Sequence, residues 1–123
     1  MLRRTGGFDL VVSGNSSSDY FGHDAVGEDF NNDGYQDLVI TAPHDSSAGT
    51  DAGAVYLFYG PFSGGSLSAA DADLSLEGAA GDKVGAAVDA GDYDGDGVFD
   101  VATSAVAYDS NTGGVFIWLT ESF

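Results

Sequence analysis

The chain has no cysteine, which excludes disulfides, thiolate zinc sites and cysteine nucleophiles. Positive charge is almost as scarce: 3 Lys and Arg residues stand against 20 Asp and Glu, a formal net charge of −17. Such a surface repels nucleic-acid phosphates and anionic lipid, and attracts cations and basic partners. Its self-repulsion also opposes compaction, so bound cations should help folding. The same lysine-poor balance fits life at high salt. No apolar run approaches the roughly 20 residues that span a membrane, so no membrane insertion is expected. Arg3 and Arg4 are not followed by an apolar stretch, so the N-terminus does not read as a signal peptide, and export would need a signal outside this chain. Proline occurs twice, whereas 19 glycines are scattered along the sequence, a turn-rich globular pattern.

What is abundant is aspartate, and it is organised. Asp29-Phe30-Asn31-Asn32-Asp33-Gly34-Tyr35-Gln36-Asp37 and Asp92-Tyr93-Asp94-Gly95-Asp96-Gly97-Val98-Phe99-Asp100 both fit Asp-x-(Asp/Asn)-x-Asp-Gly-x-x-Asp, 63 positions apart (92 − 29). Calcium takes six to eight oxygens at about 2.3–2.6 Å, and a short loop supplies them when alternate residues point inward. The candidate ligands are Asp29, Asn31, Asp33 and Asp37 in the first loop, with the backbone carbonyl of Tyr35. In the second they are Asp92, Asp94, Asp96 and Asp100, with the carbonyl of Val98. Gly34 and Gly97 stand where the chain must turn sharply. An EF-hand needs Glu at position 12 and flanking helices, but Ile40 and Thr103 occupy that position inside apparent strands. Two Ca²⁺ sites in interstrand loops are therefore expected. The second, with four Asp against three and an Asn, should bind more tightly. Without a closing Glu, both should belong to the weak, extracellular class, with dissociation constants of about 10⁻⁴–10⁻³ M.

The loops belong to a larger repeat. Asp9–Gly14 matches Asp73–Gly78, Phe21-Gly22 matches Val84-Gly85, Asp37–Ala42 matches Asp100–Ala105, and Gly53–Phe58 matches Gly113–Trp118. A period near 60 is long for a solenoid and suits a propeller blade. Strands are expected at about 9–13, 21–28, 37–42 and 54–59, then 73–77, 84–91, 100–105 and 115–119, with 66–74 a connector holding at most one short turn. Eight strands without sustained helical periodicity give an all-β fold.

The remaining chemistry-bearing residues read as structural. His23 and His44 are the only histidines, no Gly-x-Ser-x-Gly elbow accompanies them, and surface or loop positions are expected for both. Phe21, Tyr56, Phe58, Phe116 and Trp118 should pack within or between blades. Asn15-Ser16-Ser17 forms a glycosylation triplet too short to carry weight. Glu28 should face solvent.

The motifs resemble the FG-GAP repeat of integrin alpha subunits: Phe21-Gly22 at the "FG", Asp29–Asp37 as the calcium loop, and Thr41-Ala42-Pro43 at the "GAP", with Thr for Gly. The second unit has Val84-Gly85 and Ser104-Ala105-Val106, without the proline. The resemblance implies four-stranded antiparallel propeller blades, two per chain: blade 1 at about 21–77, blade 2 at about 84–119, and an outer-type strand at about 9–13. It implies a non-catalytic calcium-binding module for protein or glycan adhesion, extracellular or periplasmic. The alternatives are a self-assembling propeller fragment or scaffold without a ligand, or an accessory domain of a secreted enzyme. Two blades cannot close a ring. Strand 9–13 is thus expected to complete a neighbour's last blade in a homo-oligomer, a trimer or tetramer, unless the chain is part of a longer propeller.

Overall fold

The apolar runs become strands because β-branched and aromatic residues alternate within them and Gly, Asp, Asn and Ser clusters separate them. A computed structural model describes residues 7–120, which contain nine strands. These are β1 (Leu10–Ser13), β2 (Ala25–Glu28), β3 (Asp37–Ala42), β4 (Ala54–Phe58), β5 (Gly65–Ser68), β6 (Leu74–Glu77), β7 (Val84–Gly91), β8 (Asp100–Ala105) and β9 (Gly114–Trp118). Arg3 and Arg4 lie outside the described residues. No helix among those described is long and apolar enough to cross a membrane.

The first repeat forms a four-stranded antiparallel sheet in the order β2-β3-β4-β6. The second forms a three-stranded antiparallel sheet, β7-β8-β9. The two sheets stack. Val39, Val55 and Leu57 of the first face Val84, Val101 and Ala105 of the second, all of them buried. Phe30, the second residue of the first acidic loop, is 1% exposed in this same core. Burial of a side chain the size of Leu57 or Phe30 contributes roughly 1.5–3 kcal/mol. The all-β architecture agrees with the sequence reading and is consistent with part of a β-propeller.

Where sheet meets sheet, the backbones touch. Gly53 bridges Val84 in parallel, and Val84 N–H donates to Ala52 C=O at 3.0 Å. Gly53 has φ +76°, and a Cβ there would lie 2.2 Å from the Val84 carbonyl oxygen. Only glycine permits this approach.

Three expectations need correction. Strand 21–28 begins at Ala25. Residues Phe21–Asp24 form a turn instead, with Tyr20 at φ 61° and Gly22 at φ 87°, and Gly22 N–H donating to Thr41 C=O at 3.0 Å. His23 consequently lies on an exposed turn and not on a strand. The supposed connector 66–74 holds β5 and a 3₁₀ turn at Ala69–Asp71, giving nine strands and not eight. Strand 9–13 is not unpaired. Leu10–Ser13 pairs in parallel with Gly65–Ser68, and Val12 and Leu67 pack against Ile40, Tyr56 and Phe58 on the first sheet's other face.

Candidate metal centre

Each acidic loop joins the first two strands of its sheet, β2 to β3 and β7 to β8, as a hairpin connection. The local hydrogen bonds explain why both take the same shape. Asp29 accepts from Asp33 N–H at 3.3 Å and from Gly34 N–H at 2.8 Å, while Asp33 accepts from Tyr35 N–H at 2.9 Å. Asp92 accepts from Asp96 N–H at 3.0 Å and Gly97 N–H at 2.8 Å, while Asp96 accepts from Val98 N–H at 2.9 Å. The first carboxylate of each loop thus gathers the loop backbone around itself. Gly34 and Gly97 both have φ +87°, the left-handed turn their position requires.

The second loop brings one carboxylate oxygen each from Asp92, Asp94, Asp96 and Asp100 within 4.8 Å of one another. Two donors on opposite sides of a calcium ion with 2.4 Å bonds would be about 4.8 Å apart, so the spacing fits. The donors are hard oxygens, as calcium prefers. The first loop places Asp29, Asn31, Asp33, Tyr35 and Asp37 on the equivalent turn. Among the described residues, however, only the second loop forms a group of three or more such side chains so close together. Val98 is half-buried and Tyr35 exposed.

The electrostatics of the first position agree between loops. Partial burial works to raise the Asp29 pKa, but N–H groups of Gly34, Asp33, Asn32 and Asn31 together hold it below the ordinary carboxylate value. For Asp92 the Gly97 N–H dominates, burial opposes it, and the N–H groups of Asp96 and Gly95 with the Asp94 side chain add to the lowering. Both carboxylates are held ionised, the form that binds a cation.

The ninth position has a second occupation that the motif does not announce. Asp37 is 1% exposed and Asp100 0%. Asp37 Oδ2 accepts from Phe30 N–H and Oδ1 from Gly60 N–H, each at 2.8 Å. Asp100 Oδ2 accepts from Tyr93 N–H at 3.0 Å. Its Oδ1 accepts from Thr120, N–H at 3.0 Å and hydroxyl at 3.2 Å. Each side chain therefore ties the loop's second residue to the segment just after the sheet's third strand.

Outside the loops the titratable groups form a buried brace. Tyr56 donates its hydroxyl to Asp45 Oδ2, and Ser47 N–H donates to Asp45 Oδ1 at 2.8 Å. Burial, then the hydrogen bond and charge of Asp45, push the Tyr56 phenol far above its ordinary value, so it stays a donor. His44 Nδ1 lies 3.4 Å from Asp51 Oδ1, and its ring meets Tyr20 edge-on. The nearby Ser46 hydroxyl donates to the His44 backbone carbonyl at 3.3 Å, so its proton is not aimed at the imidazole. The aromatic expectations hold: Tyr56 and Phe58 are buried with Phe21 against them, and Phe116 and Trp118 pack on the core between the sheets. Glu28 is half-buried at the end of β2. A cavity of ≈ 270 Å³ lined by Leu10, Tyr59, Phe62 and Asp73 lies beside β1 and β5, at the lower limit of ligand pockets, roughly 300 Å³.

Known proteins share this pattern. The FG-GAP repeat family model matches residues 21–58, from the Phe21-Gly22 turn through the first loop to the end of β4. Integrin alpha-PS5 of Drosophila melanogaster is 32% identical over 111 residues, 89% of this chain and 11% of the relative. The chain thus spans about a tenth of that protein's length, and a match covering 89% of the chain takes in both acidic loops. With the repeat, its turn and its acidic loop all in register with the strands, the chain is an FG-GAP repeat protein.

Proposed function

We propose that the two sheets are adjacent blades of a β-propeller, and that the chain is a calcium-stabilised, non-catalytic module for binding protein or glycan outside the cell. The observation that carries the metal part is the convergence of Asp92, Asp94, Asp96 and Asp100. Carboxylates so close repel one another unless a cation joins them. Bound there, calcium would supply neutralising charge and cross-linking, and no reaction. Asp92, Asp94, Asp96, Asp100 and the Val98 carbonyl would hold one ion. Asp29, Asn31, Asp33, Asp37 and the Tyr35 carbonyl would hold the other.

The likeness to an integrin alpha subunit supports a place outside the cell and a role in adhesion. Inside the loops, Asp37 and Asp100 already brace the sheets, which favours a structural use of the ion over a ligand-presenting one. Ligands would then bind elsewhere on the surface.

The experiment is thermal unfolding across a calcium titration, with a chelator control. At 100 times the dissociation constant the ion should add about 2.7 kcal/mol per site. An unfolding midpoint that does not move between excess calcium and excess chelator would refute the structural role. A screen of the calcium-loaded protein against glycans and cell-surface proteins tests the adhesive part, and a blank screen counts against it.

A further inference from the structure

Among the described residues the second sheet has three strands, and the same chain contains both a template for a fourth and a segment that fits it. In the first sheet, β6 pairs antiparallel on β4, with Val55 opposite Leu76 and Leu57 opposite Leu74. β9 repeats β4 at an offset of 60, since Ala42 faces Ala54 while Ala105 faces Gly114. β1 repeats β6 at an offset of 64, Leu10 for Leu74 (74 − 64) and Val12 for Leu76 (76 − 64). Nothing among the described residues pairs with the far edge of β9.

Among the described residues no strand pairs with the other edge of β1. Gly78 N–H donates to Gly53 C=O at 3.2 Å, so the even-numbered residues of β6 turn their peptide groups toward β4. In β1 the Asp9 carbonyl accepts from Gly65 N–H at 2.7 Å, which turns the odd-numbered residues toward β5. The offset is even, so Leu10 and Val12 present on the open edge the groups that Leu74 and Leu76 use on β4. β1 could take a new partner there without giving up β5.

The face beside the open edge points the same way. Tyr93, Val115 and Ile117 are 46%, 66% and 52% exposed. Their counterparts Phe30, Val55 and Leu57 are 1%, 0% and 0% exposed, because the second sheet covers them. The apolar character is kept at positions that lie bare. β9 carries no charge, proline or bulge, the features that protect a strand edge from pairing.

We propose that β1 of a second copy of this chain docks antiparallel on the open edge of β9. Its register places Leu10 opposite Ile117, Val11 opposite Phe116, Val12 opposite Val115 and Ser13 opposite Gly114. The contact is head-to-tail, so repetition builds a ring of about three or four chains. It rests on the blade reading of the two sheets and not on the ion or any ligand. The Asp24–Val88 hydrogen bond between the sheets is not repeated, because Ala87 stands where Asp24 would be required. The strand edge and the bare face carry the contact.

The test uses single-cysteine variants, clean in a chain without native cysteine. Val12→Cys and Val115→Cys chains are mixed in equal amounts in calcium buffer and mildly oxidised. Hydrogen-bonded antiparallel partners have Cα atoms about 5.5 Å apart, within disulfide reach. A disulfide-linked 1:1 dimer in the mixture, with little from either variant alone, is expected. Sedimentation of the unmodified chain in the same buffer should give about three or four chain masses. A single chain mass at every concentration overturns the proposal, whatever the calcium titration gives, and leaves the β9 edge to a further segment of the same polypeptide or to another protein. Equal cross-linking within one variant alone overturns the head-to-tail register.

Discussion

Asp24, in the turn before β2, accepts a 2.9 Å hydrogen bond through Oδ2 from the backbone N–H of Val88 in β7. Its Oδ1 accepts from Ala25 N–H at 2.9 Å, so one carboxylate caps its own strand and clamps the next sheet. Asp24→Ala leaves the Val88 N–H without this acceptor and should cost about 1–3 kcal/mol. Asp24→Asn keeps one carbonyl acceptor and should lose less. Urea unfolding of the two variants checks the order, and equal losses would mean that the side chain acts through something other than these bonds.

Gly53→Ala should be more damaging. The new Cβ would meet the Val84 carbonyl oxygen at 2.2 Å and its nitrogen at 2.3 Å, both backbone atoms that cannot rotate away. The residue also has φ +76°, where a side chain is strained by roughly 1–3 kcal/mol before any clash. The expected result is a loss of at least about 2 kcal/mol in thermal or urea unfolding, because the sheets must separate locally. A variant as stable as the parent would show that the sheets can slide at this contact.

The two kinds of carboxylate in one loop should separate under chelation. Asp92→Ala removes a donor to the ion and should abolish the calcium-dependent stabilisation of the second site, with a smaller loss in chelator because the exposed Asp96 and Gly97 N–H groups it releases can turn to water. Asp100→Ala also strips acceptors from Tyr93 and Thr120, so its penalty should persist in excess chelator. Melting curves with and without calcium provide the comparison. In calorimetric titration Asp92→Ala should lose the tighter site and Asp29→Ala the weaker one. Retention of the tighter site by Asp92→Ala reverses that order.

Stability should respond to pH through two opposed groups of acids. Burial, then the neighbouring charge of Asp45, raises the pKa of Asp19 above its ordinary 3.8. The folded form therefore holds that proton more tightly. The contribution of Asp19 is most favourable below about pH 4 and declines as pH rises through its folded value. Asp19→Asn should accordingly raise the melting midpoint at pH 7, and the gain should vanish below about pH 4. Asp29 and Asp92 have lowered values, so their contribution is present above the unfolded value and lost in acid. A pH series of melts on the parent and Asp19→Asn decides the first point. A midpoint difference that stays constant with pH would contradict it.

Much of this was legible where residue type and position agree. β3, β7 and β8 fall on the expected 37–42, 84–91 and 100–105 because their apolar residues alternate or run together between strong turn signals. β5 was not legible, since Gly65-Ser66-Leu67-Ser68 has one apolar side chain and owes its conformation to β1 beside it. Phe21–Asp24 looked extended because Phe21 is apolar, yet the turn is held by Thr41 from the next strand: its hydroxyl accepts from Asp24 N–H at 3.0 Å. The loop acids were recognisable from their spacing. Asp24 and Asp45 were not, because a buried aspartate that accepts backbone or phenol hydrogen bonds looks no different in sequence from a solvated one.

Asp37 and Asp100 give the repeat an unequal tolerance to change. A unit that dispenses with its ion can replace the acids at its first, third and fifth positions and keep its sheet. The ninth still has to hold the hairpin loop to the far strand's exit. In a drifting copy of this unit the ninth aspartate should be the last of the loop's acids to go, a trace of the lost metal that survives for a different reason.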